Sequence, residues 1–155
     1  MFVILHNWCA HLEYDAAGNR SKLIYPSGTT VNYTYNNLNL LSTAIVAEAG
    51  AEKIFTYVYD DKGRRTQLVY PNGIITNYSY DEVDRLLNIA IGEIDLPGSI
   101  ELINYTYDVN SNRTQRTDNL GIHGYAYDQI NQLINVNYPD NTNWSSPDFM
   151  DTISR

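Results

Sequence analysis

The sequence predicts an all-β protein: an antiparallel meander of about twelve strands made from one repeated hairpin. Three observations carry this expectation. A phrase Tyr-x-Tyr-Asp followed by a short polar turn recurs six times, ending at Asp15, Asn36, Asp60, Asp81, Asp108 and Asp128. Recurrence every 20–27 residues is the mark of a repeat architecture. The segments between turns, such as Thr29-Thr-Val-Asn-Tyr-Thr-Tyr35 and Ile74-Ile-Thr-Asn-Tyr-Ser-Tyr80, alternate in character and are rich in β-branched and aromatic residues. Sustained helical periodicity is absent. A weak Ala-rich stretch, Ala44-Ile-Val-Ala-Glu-Ala-Gly50, reads as a hairpin extension, as does Ile94-Asp-Leu-Pro-Gly98 in the matching later copy.

Each copy then justifies two strands and two turns. The first copy is degenerate, with Leu12 in place of its first tyrosine, and the second has Asn36 in place of the aspartate. Three residues beyond each anchor stand Gly18, Asn39, Gly63, Asp84, Ser111 and Asn131. These are residue types that turn the chain or tolerate positive φ. The anchor side chain is expected to accept N–H groups from the next two or three residues. Asparagine does this as well as aspartate, so the recurring carboxylate reads as architecture rather than catalysis.

Five residues after the anchor, Arg20, Arg65 and Arg113 alternate with Leu41, Leu86 and Leu133. The true unit is therefore a double repeat of 45–48 residues, Asp15 to Asp60 and Asp60 to Asp108. A second bend follows ten residues after the anchor at Tyr25-Pro26, Tyr70-Pro71 and Tyr138-Pro139, and in the odd copies a glycine at the thirteenth position, Gly28, Gly73 and Gly121, permits the return. The second motif tyrosines, Tyr35, Tyr59, Tyr80, Tyr107 and Tyr127, share a strand face with the residue two positions earlier. Tyrosine is expected to stack over tyrosine across the sheet, at roughly 0.2–1 kcal/mol per pair. The arginines are expected to lie over a neighbouring ring or to pair with a repeat aspartate. Residues 1–11 read as a partial repeat or edge strand, 12–139 as six repeats in three doubles, and 140–155 as a C-terminal tail.

Composition narrows function. The net charge is −8, with ten Lys plus Arg against eighteen Asp plus Glu. Nucleic acid and anionic membrane surfaces are poor partners for such a chain. No apolar run is long enough to insert into a bilayer as a helix, and Met1-Phe-Val-Ile-Leu5 is too short for a signal peptide. The lone Cys9 excludes an internal disulfide framework. His6, Cys9 and His11 are weak metal candidates, lacking a fourth ligand at motif spacing. His123, between Gly121 and Gly124, reads as part of a turn. Asp60 with Asp61, and Asp81 with Glu82, read as solvent-facing turn residues rather than an acid–base pair. No nucleophile elbow or phosphate loop is present, so no enzyme and no cofactor are expected. The triplets at Asn32, Asn77 and Asn104 arise from the repeat and become glycosylation acceptors only in a secreted eukaryotic context.

Tyr57-Val-Tyr-Asp-Asp-Lys-Gly-Arg-Arg-Thr66 with Tyr70-Pro-Asn-Gly73, and Tyr14-Asp-Ala-Ala-Gly-Asn-Arg20 with Tyr25-Pro-Ser-Gly28, resemble the YD repeat. That unit belongs to the Rhs (rearrangement hot spot) proteins, toxin-complex cocoons, wall-associated proteins and teneurins. The resemblance spans about residues 12–139. It implies a β-sheet that curves or spirals as part of a shell, a toxin-associated or adhesive setting, and an extracellular or cell-surface location. This chain carries too few strands to close a shell and no Asp-Pro-x-Gly-Leu closing segment, so an open sheet with free edges is expected. Its partners are then other YD repeats or copies of itself, meeting through sheet edges into an array or filament. The function expected is a non-enzymatic structural scaffold. The alternative is a carbohydrate-binding or adhesion module, since sugars stack on exposed aromatic rings and bond to Asn and Asp.

Overall fold

A computed structural model describes residues 9–93, 99–140 and 143–145. His6 and the stretch 94–98 lie outside the described residues. Thirteen strands follow in chain order, β1(His11–Tyr14) β2(Arg20–Ile24) β3(Thr30–Tyr35) β4(Leu41–Glu48) β5(Ala51–Tyr59) β6(Arg65–Val69) β7(Ile74–Tyr80) β8(Leu86–Glu93) β9(Ser99–Tyr107) β10(Arg113–Asp118) β11(Gly121–Tyr127) β12(Leu133–Asn137) β13(Asn143–Ser145). Each is hydrogen-bonded to its sequence neighbours in one open meander. The described residues contain no helix long and apolar enough to cross a membrane. β13 pairs with β12 through Val136 and Trp144, so part of the stretch 140–155 adds a strand.

The chain divides into two compact units, Met1–Ile75 and Thr76–Arg155. In the first, Leu23, Val31 and Ala44 form the buried cluster, and Tyr33, Val46, Phe55 and Tyr57 pack against it. These residues share a face because Leu23 opposes Val31, Val31 opposes Val46, and Ala44 opposes Phe55. The Ala44–Gly50 stretch extends a hairpin, as its pattern predicts: β4 and β5 run up to the pair Glu48–Ala51, with Ala49 and Gly50 as a two-residue loop at φ 50° and 82°.

In the second unit the buried residues are Thr76, Asp118, His123 and Val136. His123 is a correction to the turn reading: it lies inside β11, opposite Arg116, and is buried. The flanking glycines suggested a loop. The tight bend instead falls at Asn119 and Leu120, and Gly121 is already paired with Asp118. A Cβ on Gly121 would lie 2.9 Å from the Cβ of Pro139, so the glycine serves close approach. No large side chain among the described residues is completely sequestered. The sheet is thin, and hydrogen bonds at its turns carry much of the specification.

Candidate functional site

The six anchor turns are one structure repeated. In every copy the anchor Oδ1 accepts two backbone N–H groups, from the residues two and four positions on. Ala17 and Asn19 donate to Asp15 at 2.9 and 2.8 Å. Leu38 and Leu40 donate to Asn36 at 2.9 and 3.0 Å. The same pairs close on Asp60, Asp81, Asp108 and Asp128. The intervening N–H, three positions on, turns instead to the anchor's own carbonyl, as Gly18 to Asp15 at 3.1 Å and Gly63 to Asp60 at 2.9 Å. The anchor N–H closes the loop by donating to the carbonyl four residues on. The side chain thus skips the third residue, because that N–H is spent inside the turn.

The third residue explains the Gly, Asn, Asp and Ser found there. Gly18, Asn39, Gly63, Asp84, Ser111 and Asn131 all have φ between 57° and 85°. In the tyrosine-proline bends the same closure uses no side-chain anchor: Gly28 donates to the Tyr25 carbonyl at 2.9 Å and Gly73 to Tyr70 at 3.0 Å.

Sequence reasoning missed the fourth residue. Its side chain holds the second anchor oxygen: Asn19 Nδ2 to Asp15 Oδ2 at 3.2 Å, Arg64 Nε to Asp60 Oδ2 at 2.7 Å, Arg85 Nε to Asp81 Oδ2 at 2.6 Å, and Asn112 Nδ2 to Asp108 Oδ2 at 2.9 Å. The signal was present, since only donors stand at this position wherever the anchor and its clamp both form. That residue also ties one copy to the next. Asn19 Nδ2 donates to Asn39 Oδ1 at 3.2 Å, Asn112 Nδ2 to Asn131 Oδ1 at 2.8 Å, and Arg85 Nη1 to the Asp108 carbonyl at 2.9 Å.

These bonds set the anchor pKa values. Asn19 N–H donation is the chief cause of a lowered Asp15. Partial burial pushes Asp60 and Asp81 upward, but the N–H groups and guanidinium of Arg64 and Arg85 outweigh it and both lie below the usual carboxylate range. The Asn112 amide leads in lowering Asp108.

The second motif tyrosines tie neighbouring strands. Tyr35 donates to the Arg20 carbonyl at 2.9 Å, Tyr59 to Leu41 at 2.9 Å, Tyr107 to Leu86 at 2.8 Å and Tyr127 to Arg113 at 3.1 Å. The acceptor is always the residue five beyond the preceding anchor. Just after that residue a bulge inserts one unpaired position: Ser21, Ser42, Thr66, Thr114 and Ile134. Tyr80 ends β7 in the equivalent place.

Arginine takes the ring contact expected between successive tyrosines. Arg113 lies 5.5 Å from the Tyr105 ring centre and 4.6 Å from that of Tyr125, making a Tyr–Arg–Tyr stack. Arg20 lies 4.6 Å from the Tyr33 ring and Arg85 4.9 Å from Tyr107. The anchor ion pairs belong to Arg64 and Arg85, one position earlier than Arg65 and Leu86. Cys9 and His11 are exposed, and among the described residues no three potential ligands converge on a metal site.

The RHS Repeat family model matches residues 14–52 and 59–91. No curated protein sequence matches the chain. Among solved structures, a chain of the TcdB2–TccC3 complex superposes with a TM-score of 0.76 at 21% identity, covering 82% of this chain and 7% of its own length. The same complex with Cdc42 gives the same values, as does the Photorhabdus luminescens Tc holotoxin pore. This chain therefore corresponds to a small part of those proteins, and the likeness establishes the fold. Motif and turn geometry agree with that match: the chain carries RHS, or YD, repeats over residues 14–52 and 59–91, in a fold shared with the Tc toxin chains.

Proposed function

We propose that the chain is a non-enzymatic structural module, a segment of an Rhs-type β-shell or of a self-assembling surface array. One observation carries this reading. The recurring motif groups are engaged in building the repeat: in all six copies the anchor oxygen holds two N–H groups, and four motif tyrosines donate to neighbouring backbone. The Tc toxin complexes with the same fold support a place in a secreted, multi-subunit assembly. Among the described residues β1 and β13 are the outermost strands, and such edges are templates for further pairing with another repeat. Electron microscopy and light scattering of the purified chain test this. Ordered association is expected, and a clean monomer at high concentration would refute self-assembly.

A carbohydrate-binding or adhesion role rests on Tyr14, Tyr25 and Tyr138, which are exposed residues. Glycan binding abolished by Tyr25→Ala with the fold intact would favour it over the scaffold reading.

A further inference from the structure

The third double repeat departs from the first two at three positions that meet in the fold. Eight residues after the anchor, Leu23 and Leu68 give way to Arg116. Ten residues after it, Tyr25 and Tyr70 give way to Asp118. Two residues before the next motif tyrosine, Val31 and Thr76 give way to His123. Leu23 and Val31 face each other across β2 and β3, and Arg116 and His123 do so across β10 and β11. One contacting set has been exchanged as a whole.

In the first double repeat Leu23 and Val31 belong to a buried apolar cluster, while Tyr25 at the bend is exposed. In the third it is ionic: Asp118 and His123 are buried, and Arg116 reaches them from a partly exposed position. The Asp118 side chain is 1% exposed, and its Oδ2 lies 2.7 Å from Arg116 Nη2 and 3.3 Å from His123 Nε2. Its Oδ1 accepts the Leu120 N–H at 2.9 Å. Tyr138 stands edge-on to His123 at 6.0 Å.

A buried ionic set is a poor source of stability, because desolvation cancels much of the attraction and well-packed apolar replacements are often neutral or stabilising. It is a strong source of discrimination, because one member without the others is a buried, unpaired charge. A chain of near-identical hairpins faces the corresponding hazard. A hairpin from one double repeat shares the anchor turns, bulges and tyrosine ties of another, in the same chain or in a second copy, although the β10–β11 bend is one residue shorter than the β2–β3 bend, and strand exchange between such hairpins costs little.

We propose that Arg116, Asp118 and His123 form a registry key, which makes β10 and β11 accept each other and reject the equivalent strands β2 and β3. Leu23 or Val31 opposite this set would strand the Asp118 carboxylate. Arg116 or His123 placed among Leu23, Val31 and Ala44 would bury a polar group without its partner.

The test replaces the key in the full chain by the residues of the first double repeat: Arg116→Leu, Asp118→Tyr and His123→Val together. This triple variant is expected to fold with a melting temperature no lower than the parent's. Its β10 and β11 amides should give doubled NMR signals, and a strand-swapped dimer should persist on dilution. A single set of signals without swapped dimer would overturn the proposal. So would failure to fold, which would make the set a stability element instead. Asp118→Tyr alone leaves the buried His123 beside Arg116 without the carboxylate between them and should lower the melting temperature; an unchanged melting temperature would also overturn it.

Discussion

The Tyr59 hydroxyl donates to the Leu41 carbonyl at 2.9 Å, binding the end of one copy to the start of the copy before it. Leu41 is also the backbone partner of Tyr35 at the bulge that precedes Thr43. One hydroxyl therefore holds the carbonyl beside the bulge at Ser42. Tyr59→Phe keeps the ring and deletes this bond. The expected loss is about 0.5–1.5 kcal/mol, read as a lower urea midpoint with an unchanged slope.

Asp108 is predicted to be replaceable by asparagine and not by alanine. Asn retains the Oδ1 that accepts the Asn110 and Asn112 N–H groups, as Asn36 already does for Leu38 and Leu40. Asp108→Ala should lower the melting temperature clearly more than Asp108→Asn. Hydrogen exchange localises the effect: the amides of Asn110 and Asn112 should lose protection in the alanine variant only.

The same anchors predict acid sensitivity. Asp15, Asp60, Asp81, Asp108 and Asp118 are all lowered from the ordinary value of 3.8. A carboxylate held lower in the folded state adds stability that is present above 3.8 and lost as pH falls through its folded pKa. Denaturant midpoints should therefore be steady from pH 7 to about 5 and fall steeply below pH 4. Tyr59 and Tyr107 act at the other end. Burial leads in raising both above 10.0, so their contribution is full below pH 10 and disappears as pH rises past it.

The loop Ala49–Gly50 carries an avoidable strain. Ala49 sits at φ 50°, a region that costs a residue with a Cβ roughly 1–2 kcal/mol. Ala49→Asn installs the Asn-Gly pair that a two-residue hairpin of this kind prefers. The expected gain is about 0.5–1 kcal/mol, measured as a raised melting temperature.

The position of every anchor turn was legible because each is closed by atoms no more than four residues apart. Asp15 meets Ala17 and Asn19 whatever the rest of the chain does. The spacing of Tyr33 and Tyr35 likewise put both on one strand face before any partner strand was known. Arg20 and Arg113 were legible only as candidates for two kinds of contact, because a long side chain chooses among neighbours that the fold supplies. His123 was misread for the same reason: its local glycines suggested a turn, while its register opposite Arg116 placed it inside a strand.

By itself, then, the order of residues determined the repeat, its turns and its strand faces, since those follow from short-range hydrogen bonding and a two-residue period. Tertiary structure alone decided the lateral relations: Arg113 between two rings, Tyr59 on a carbonyl eighteen positions away, and Asp118 between Arg116 and His123. Those depend on bulged register between adjacent strands, which no local pattern encodes.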